Sequence, residues 1–312
     1  MIITVNIFNA IDKVDLCVNI NFEQYKVFYY SALYLNFSEA GKKLFISQSA
    51  ISQSIKQLEN QLGISLFFRN KKKISLTPQG QDLFSYIEKA FILIKSGERN
   101  INTHLELRKK ELKIAASDTI CKYYLLPYFK RFNQKNPEVS LKIVNRASPL
   151  CIELLEKGEI DLALVNLPEK YNKFTNLNVN IIREIKDVFI ANKSFPELKN
   201  KKISLKDLNN YPLLLLEKNS STRIFLDDFL KSYNLNANPE VELENIDLLV
   251  ELTKIGLGLS FVIYEAAAND IEEGSIFPIN LVEKIPPRYL GLLNNKELPL
   301  SESGEKFISL FA

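Results

Sequence analysis

Apolar residues return at every third or fourth position between residues 22 and 62, and this spacing predicts three consecutive helices. The first helix covers residues 22–34. The second begins near Ser38 and the third after Ser47, because each hydroxyl can accept a hydrogen bond from a free N–H group at a helix start. Gly63 closes the third helix, since glycine adopts a left-handed backbone without strain. The pattern predicts a helix-turn-helix supported by a preceding helix.

The third helix is apolar on one side and carries uncharged polar groups on the other. Five residues near its start form the polar face: Gln48, Ser49, Ser52, Gln53 and Lys56. A face that meets only water usually carries Glu and Lys, whereas Gln, Ser and Lys can hydrogen bond to base edges and phosphates. The alternative is an ordinary helical hairpin with a polar surface.

A cationic β-hairpin is predicted directly after these helices. Two short apolar runs, 66–68 and 74–76, enclose a basic turn. The turn consists of Arg69, Asn70, Lys71, Lys72 and Lys73. Between residues 41 and 76, seven cations face one carboxylate, a net charge of +6, whereas the whole chain carries only +3. Because concentrated positive charge attracts a phosphate backbone, we expect Lys56 and the basic turn to hold phosphates.

Several short stretches follow one another in a characteristic order in this region. They are Phe37-Ser38-x-Ala40, the run Ile46-Ser47-Gln48-Ser49-Ala50-Ile51-Ser52, Leu58-Glu59, Leu62-Gly63, Leu66-Phe67, Arg69 and Leu76-Thr77-x-x-Gly80. Residues 21–77 therefore resemble the winged helix-turn-helix domain of LysR-type transcriptional regulators. The resemblance implies that the region binds double-stranded DNA. The predicted DNA-binding residues are Ser38, Ser47, Gln48, Ser49, Ser52, Gln53, Lys56, Arg69, Lys71, Lys72 and Lys73.

Two residues of the predicted reading face differ from the family's usual pattern. Ser49 stands where the family commonly has Pro, and Gln53 stands where it commonly has Arg. Both differences bear on the base sequence that the helix reads.

A long helix is predicted from Pro78 to about Lys109. Its apolar residues alternate in steps of four and three, which is close to the repeat that paired helices require. They are Leu83, Ile87, Ala90, Ile94, Gly97 and Ile101. We interpret residues 78–110 as a dimerising linker, which the family resemblance also implies. The alternative is a helix that packs on its own domain.

Short apolar runs alternate with helical stretches from residue 111 onward, and this predicts an α/β fold with a mainly parallel sheet. Hydroxyl side chains fall in three turns that lead from a strand into a helix, where such folds bind ligands. Helix starts favour anions, and two arginines add charge there. The alternative is that the hydroxyls only cap helices. The candidate ligand-binding residues are Ser117, Thr119, Arg146, Ser148, Ser221, Thr222 and Arg223.

Residues 158–164 and 250–260 resemble the effector-binding domain of the same family, which is itself similar to periplasmic solute-binding proteins. The resemblance implies an effector-binding domain over residues 111–312. Its first subdomain would comprise about 111–186 and 288–312, and its second about 187–287. Two crossing strands near Asp187 and Pro286-Pro287 would join them, with a small-molecule effector in the cleft. The charge at the three hydroxyl turns favours an anionic effector. On the resemblance, Ser117, Thr119, Ser148 and Thr222 line this cleft.

The predicted architecture is an α/β protein with an N-terminal winged helix-turn-helix, a long linker helix and a two-subdomain, periplasmic-binding-protein-like effector domain. Residues 1–20 precede the family's usual start and form an extension of unknown role. The predicted partners are double-stranded DNA, a small-molecule effector, further copies of the chain as a homodimer or homotetramer, and RNA polymerase through indirect contact. The predicted function is sequence-specific regulation of transcription.

Composition argues against several other classes of protein. The chain has three widely spaced cysteines and one histidine, His104, so we expect no metal site, no disulfide framework, no cofactor and no catalytic activity. Its apolar stretches are too short to span a membrane and no export signal is recognised, so we expect a cytoplasmic protein without a membrane partner. A solute-binding protein of a transport system is the alternative for residues 112–300.

Overall fold

The computed structural model describes residues 20–70, 73–104, 110–167 and 174–311. The predicted N-terminal extension lies outside the described residues, apart from Ile20. The chain separates into two compact units, one ending at Gly97 and the other beginning at Glu98. This boundary falls within one long helix.

The N-terminal unit contains the predicted helices and the predicted hairpin. Their bounds are α1 Phe22–Tyr34, α2 Phe37–Leu44, α3 Gln48–Leu62, β1 Phe67–Asn70, β2 Lys73–Leu76 and α4 Pro78–His104. Ser47 caps α3 as predicted, because its hydroxyl accepts a hydrogen bond from the N–H of Ala50 at 3.2 Å. Gly63 ends α3 in the left-handed region, with φ at 69°.

The predicted cap of α2 is wrong. The side-chain oxygen of Asn36 accepts hydrogen bonds from the N–H groups of Ser38 at 2.9 Å and Glu39 at 3.2 Å. Helix α2 therefore begins at Phe37, and the hydroxyl of Ser38 is exposed instead of serving as the cap. Asn competes with Ser at this position because both side chains can accept from the first free N–H groups of a helix.

A fully buried core joins the three helices to the hairpin. Its largest fully buried side chains come from α1, α3 and the segment before β1: Phe28, Ile51, Ile55, Leu58 and Leu66. Phe45 lies outside this core, with 95% of its surface exposed. It follows α2 in the left-handed region, with φ at 57°, and this turns its ring outward. Burial of the apolar side of α3 leaves its polar side at the surface.

The hairpin is attached to α3 through the carboxylate of Glu59. One carboxylate oxygen accepts hydrogen bonds from the N–H groups of Leu66 at 2.8 Å and Phe67 at 3.2 Å. Strands β1 and β2 then pair antiparallel from Phe67 opposite Leu76 to Asn70 opposite Lys73. The attachment fixes the direction in which the hairpin leaves the helices.

Part of the predicted apolar seam of α4 packs inside its own unit. Tyr29 of α1 stacks on Phe84 and Phe91 of α4, with ring centroids 5.9 Å and 4.8 Å apart. Leu83 and Ile87 pack against the same core. Three large apolar residues of α4 nevertheless stay exposed: Tyr86, Leu93 and Ile94. The first turns of α4 therefore belong to the domain core, while an apolar stripe continues along the helix.

The C-terminal unit is built from alternating strands and helices. Its strands are β3 Lys110–Ala116, β4 Val139–Asn145, β5 Leu162–Asn166, β6 Leu177–Ile185, β7 Asp187–Asn192, β8 Lys202–Ile203, β9 Leu213–Leu216, β10 Val241–Leu243, β11 Leu259–Ile263, β12 Ile276–Pro278, β13 Asn280–Leu281 and β14 Arg288–Asn295. Its helices are α5 Asp118–Ile120, a π-helix Cys121–Leu125, α6 Leu126–Lys135, α7 Ser148–Glu156, α8 Leu205–Leu208, α9 Ser221–Ser232, α10 Ile246–Lys254, α11 Tyr264–Glu272 and α12 Glu302–Ile308.

Most of these strands form two five-stranded sheets. Their strand orders are β4-β3-β5-β14-β6 and β10-β9-β11-β7-β12. In each sheet the first three strands are parallel and the last two are antiparallel to their neighbours. The expectation of a mainly parallel sheet is therefore wrong in detail, because both sheets are mixed. Three of these four antiparallel strands, β6, β7 and β14, border the passages of the chain between the sheets.

The chain passes between the two sheets twice. It leaves the first sheet after β6 and enters the second with β7, and it returns to the first sheet with β14. An apolar cluster continues from one sheet to the other, with Leu164 and Leu292 on one side and Leu214 and Val262 on the other. The two sheets thus share part of one core.

Replacement of Gly80 by Ala should destabilise the N-terminal unit. The new Cβ would lie 2.1 Å from the backbone oxygen of Leu66, so either α4 or the hairpin must shift, at a cost of about 1–3 kcal/mol. The matched control is Gly97→Ala in the same helix, where the new Cβ meets no described atom of another element within 4 Å. That change should stabilise the helix by about 0.5–1 kcal/mol.

Urea unfolding followed by far-ultraviolet circular dichroism measures both variants. Equal stability of the two variants would contradict the close packing of α4 on the hairpin.

Candidate nucleic-acid interface and ligand cleft

The polar face of α3 is available at the surface. Gln48, Ser49, Gln53 and Lys56 are exposed, and Ser52 is half-buried. The hydroxyl of Ser49 lies 2.8 Å from that of Ser47, so Ser47 is occupied by capping and by this contact. The structure therefore brings four of the predicted reading residues together on one exposed face.

The cationic hairpin is only partly described. The backbone of Arg69 lies in β1 and that of Lys73 in β2, whereas Lys71 and Lys72 lie outside the described residues. The strands are in register from Phe67 opposite Leu76 to Asn70 opposite Lys73. Phosphate binding by the basic turn therefore stays a prediction.

The carboxyl ends of both sets of parallel strands lie next to the crossing strands. In the first sheet, Asn166 at the end of β5 is opposite Leu290, near the start of β14. In the second sheet, Ile263 at the end of β11 is opposite Asp187. Since both edges lie beside the crossings, the turns that follow these strands border a common cleft.

Three of the predicted cleft residues form local hydrogen bonds or are enclosed. The hydroxyl of Ser117 accepts from the N–H of Ile120 at 3.3 Å, as a helix cap does. The hydroxyl of Ser148 is buried and accepts from the N–H of Asn166 at 3.0 Å. Thr119 is half-buried. Ser117 therefore caps a helix, as the alternative interpretation predicted. The hydroxyl of Ser148 links the start of α7 to the end of β5.

The two predicted cleft arginines behave differently from each other. Arg146 is exposed, and its Nη1 donates to the carbonyl oxygen of Asn145 at 2.7 Å. Arg223 is buried and its charge is used internally. Its guanidinium forms ion pairs with Asp227 at 2.9 Å and Glu242 at 2.6 Å. The structure therefore does not place Arg223 as a free cation for a ligand, because its Nε donates to Asp227 and its Nη1 to Glu242.

The sequence analysis missed a buried ion pair at the crossings. Arg288, the first residue of β14, donates from Nε and Nη2 to the carboxylate of Asp187 at 2.5 Å each. Its Nη2 also donates to the hydroxyl of Thr222 at 3.0 Å. Burial raises the pKa of Asp187, and the positive charge of Arg288 opposes this shift. The positions of the crossings were predicted, but nothing in the sequence pairs residues 101 positions apart.

Further contacts join the two sheets near this ion pair. Glu265 of α11 accepts from the hydroxyl of Tyr124 at 3.0 Å and forms an ion pair with Arg183 of β6 at 3.0 Å. Burial and this carboxylate raise the pKa of Tyr124. Asp247 similarly accepts from the hydroxyl of Tyr123 and pairs with Lys122 at 2.8 Å. These contacts would have to change if the two sheets moved apart.

The described parts of the chain contain no group of three or more His, Cys, Asp and Glu side chains that could hold a metal ion. Within the same residues, every helix is too short or too polar to cross a membrane. His104 ends α4, and its side chain is not described.

Two family models match the chain. The model described as "LysR substrate binding domain" matches residues 106–312, and the model described as "Bacterial regulatory helix-turn-helix protein, lysR family" matches residues 22–81. A "Probable RuBisCO transcriptional regulator" of Trieres chinensis is 30% identical over 284 residues, which cover 87% of this chain and 90% of the relative. The "HTH-type transcriptional activator CmpR" of Synechocystis is 29% identical over 300 residues, covering 94% and 96%.

Solved structures share the fold. A full-length OxyR from Pseudomonas aeruginosa has a TM-score of 0.59 at 19% identity, and the match covers 94% of this chain and 95% of that one. The Synechocystis CcmR regulatory domain, solved in complex with 2-PG, has a TM-score of 0.58 at 19% identity and covers 65% and 95%. The predicted fold class is confirmed. The transport-protein alternative gains no support, because a helix-turn-helix model matches as well.

Cys121, one turn beyond Ser117, should react slowly with thiol reagents. Burial and the carboxylate of Asp118 raise its pKa from 9.0 to about 11. At neutral pH this leaves roughly 100-fold less thiolate, the reactive form, and reactivity should climb with pH until about 11. Timed alkylation followed by peptide mass spectrometry measures the rate at Cys121, with glutathione as the reference thiol. A rate at neutral pH equal to that of glutathione would show that the thiol is not enclosed as described.

Proposed function

Because this chain belongs to the LysR family of transcriptional regulators, we propose that it reads duplex DNA through α3 and is controlled by a small anionic effector in the cleft of its C-terminal unit. The observation that carries the DNA-binding part is the exposed polar face of α3, fixed on a fully buried core within a unit of concentrated positive charge. LysR regulators bind DNA and effectors and form oligomers. The finer assignments below are specific to this chain.

The proposed contacts to DNA divide into base reading and phosphate binding. Gln48, Ser49 and Gln53 contact base edges in the major groove, where each good contact is worth about 1–3 kcal/mol of discrimination. Ser38, Ser52 and Lys56 flank this face. The basic hairpin holds the phosphate backbone, because Arg and Lys bind phosphates irrespective of sequence. The proposed phosphate contacts of the hairpin are Arg69, Lys71, Lys72 and Lys73.

The proposed division of the chain follows its elements. Residues 21–77 bind DNA, residues 78–110 link and dimerise, and residues 111–312 bind the effector. The exposed stripe on α4 supports self-association, since no described residue covers these large apolar side chains. We propose a homodimer that can pair into a tetramer and that contacts RNA polymerase indirectly.

An anionic effector in the cleft is supported by the chemistry of its borders. The turns after the parallel strands bring hydroxyls and helix starts together, and both favour negative charge. The proposed contacts are Ser117, Thr119, Arg146, Ser148, Ser221 and Thr222. Arg223 is left out because its Nε donates to Asp227 and its Nη1 to Glu242 and to the carbonyl oxygen of Leu216. The CcmR regulatory domain, which shares this fold, was solved with 2-PG, and we propose a ligand of comparable size here.

The proposed mechanism couples the cleft to DNA through the spacing of two reading heads. Effector binding favours one arrangement of the two sheets, and the ligand can shift that equilibrium only by its difference in affinity for the two arrangements. A change in the paired C-terminal units would then alter the separation of the two α3 helices or the bend of the DNA. We further propose that the chain has no catalytic activity, since the matched relatives are named as regulators.

Combined replacement of Lys71, Lys72 and Lys73 by Ala should weaken binding to every DNA sequence. The dependence of log affinity on log salt should flatten by about 0.9 for each phosphate contact that is lost. Gln53→Ala should instead reduce binding to the specific site by about 1–3 kcal/mol while leaving the salt dependence unchanged. Mobility-shift titrations on the chain's own upstream DNA and on a scrambled duplex separate the two effects.

The control for these DNA titrations is Lys206→Ala, an exposed lysine of the C-terminal unit that should have no effect on either duplex. An unchanged salt slope in the hairpin variant would contradict phosphate binding by the hairpin. Failure of the wild-type chain to bind any duplex would overturn the proposed function.

A small anion that binds the cleft should raise the melting temperature and change the affinity for DNA at the same ligand concentration. Thermal-shift screening of small anions and amino-acid derivatives, with 2-PG included, identifies candidates, and mobility shifts with each hit measure the coupling. Thr119→Val should weaken the response because it removes a hydroxyl from the cleft border without changing its size. A hit that stabilises the chain but leaves DNA affinity unchanged would argue against this cleft as the regulatory site.

A further inference from the structure

One nitrogen of Arg288 is buried without a hydrogen-bond partner. The residue is 5% exposed, and its guanidinium also lies over the ring of Phe225, 5.2 Å from the centroid. Asp187 and Thr222 accept from Nε and Nη2, as described above. Nη1 is enclosed and finds no acceptor among the described residues. A buried donor of a charged group is costly to leave unsatisfied, so this nitrogen calls for an acceptor.

The planar shape of the guanidinium determines where Nη1 points. Its Nε and Nη2 form one edge, and the two carboxylate oxygens of Asp187 occupy that edge completely. The other hydrogen of Nη2 points along the opposite edge, which Nη2 shares with Nη1. Because this hydrogen goes to the hydroxyl of Thr222, the edge that contains Nη1 faces the start of α9.

The start of α9 offers further donors at the same place. Ser220 is the N-cap residue, but its side chain makes no capping hydrogen bond. The first N–H of the helix with an intrahelical acceptor is that of Ile224, which donates to the carbonyl of Ser220 at 2.9 Å. The preceding N–H groups therefore have no acceptor within the helix, and a helix of 12 residues adds a partial positive charge.

We infer that Arg288 is the cation that recognises the effector: Nη1, the hydroxyl of Thr222 and the first N–H groups of α9 together bind one carboxylate or phosphate group. The inference rests on the proposed function and replaces Arg223 as the charged member of the site. Asp187 holds the guanidinium in place and balances its charge when the cleft is empty. Since Arg288 begins a crossing strand of the first sheet and Thr222 belongs to the second sheet's helix layer, a bound anion links the two halves directly.

Arg288→Lys tests this assignment, because lysine keeps the charge and can still pair with Asp187 but lacks Nη1. Thermal shifts of the full chain with inorganic phosphate and with malonate, at constant ionic strength, give apparent affinities for the two kinds of anion. The variant should bind both at least tenfold more weakly than the wild type does. Arg131→Lys is the matched control: it makes the same change at an exposed arginine that lies over the ring of Tyr128, and it should bind as the wild type does.

Thr222→Val and Thr222→Ser provide a second pair if Arg288→Lys does not fold. Valine removes the hydroxyl and should weaken anion binding, whereas serine retains it and should restore binding. Wild-type affinity in Arg288→Lys, or in Thr222→Val, overturns the inference while leaving the proposed function intact. Absence of a response to either anion in the wild-type chain also overturns it. DNA binding is measured in parallel by mobility shift, so failure of the proposed function itself is recognised separately.

Discussion

The ion pair between Asp187 and Arg288 connects the two passages of the chain between the sheets of the C-terminal unit. Such a buried pair adds little net stability compared with apolar residues, but removal of one partner costs about 3–5 kcal/mol because the other charge is left uncompensated. The pair therefore holds both crossings in one register. In this register, the carboxyl ends of the parallel strands of both sheets lie beside the crossings and border a common cleft. The helices that begin after these strands therefore start at the same cleft.

Positive charge is used differently in the two units. In the C-terminal unit, Arg183 and Arg223 are paired with carboxylates of neighbouring elements, so their charge holds the fold together. On the exposed face of α3, Lys56 has no ion-pair partner among the described residues. This face of the N-terminal unit therefore combines a cation with uncharged hydrogen-bonding groups.

The local elements were largely determined by the sequence. The apolar spacing predicted α1, α3 and the hairpin, because an element that buries one face repeats its apolar residues with its own period. The crossings near Asp187 and Pro286-Pro287 were expected from the family resemblance, but the mixed character of the sheets, which comes from strands such as β6 and β14, was missed. Their pairing depends on the chain returning from the second sheet to the first, and a local window carries no signal of such a return.

Candidate reading residues on α3 could be named from the sequence because a single helix places them together. The cleft was different, since its proposed residues come from separate segments and only the tertiary structure decided which hydrogen-bond donors were already used. Arg223 followed a plausible hydroxyl turn, yet Asp227 and Glu242 neutralise it. Arg288 gave no local sign of importance, and its role arises from the approach of Asp187 and Thr222 across the fold. The chain alone thus determined its periodic elements and its family, whereas long-range pairing determined the chemistry of the cleft.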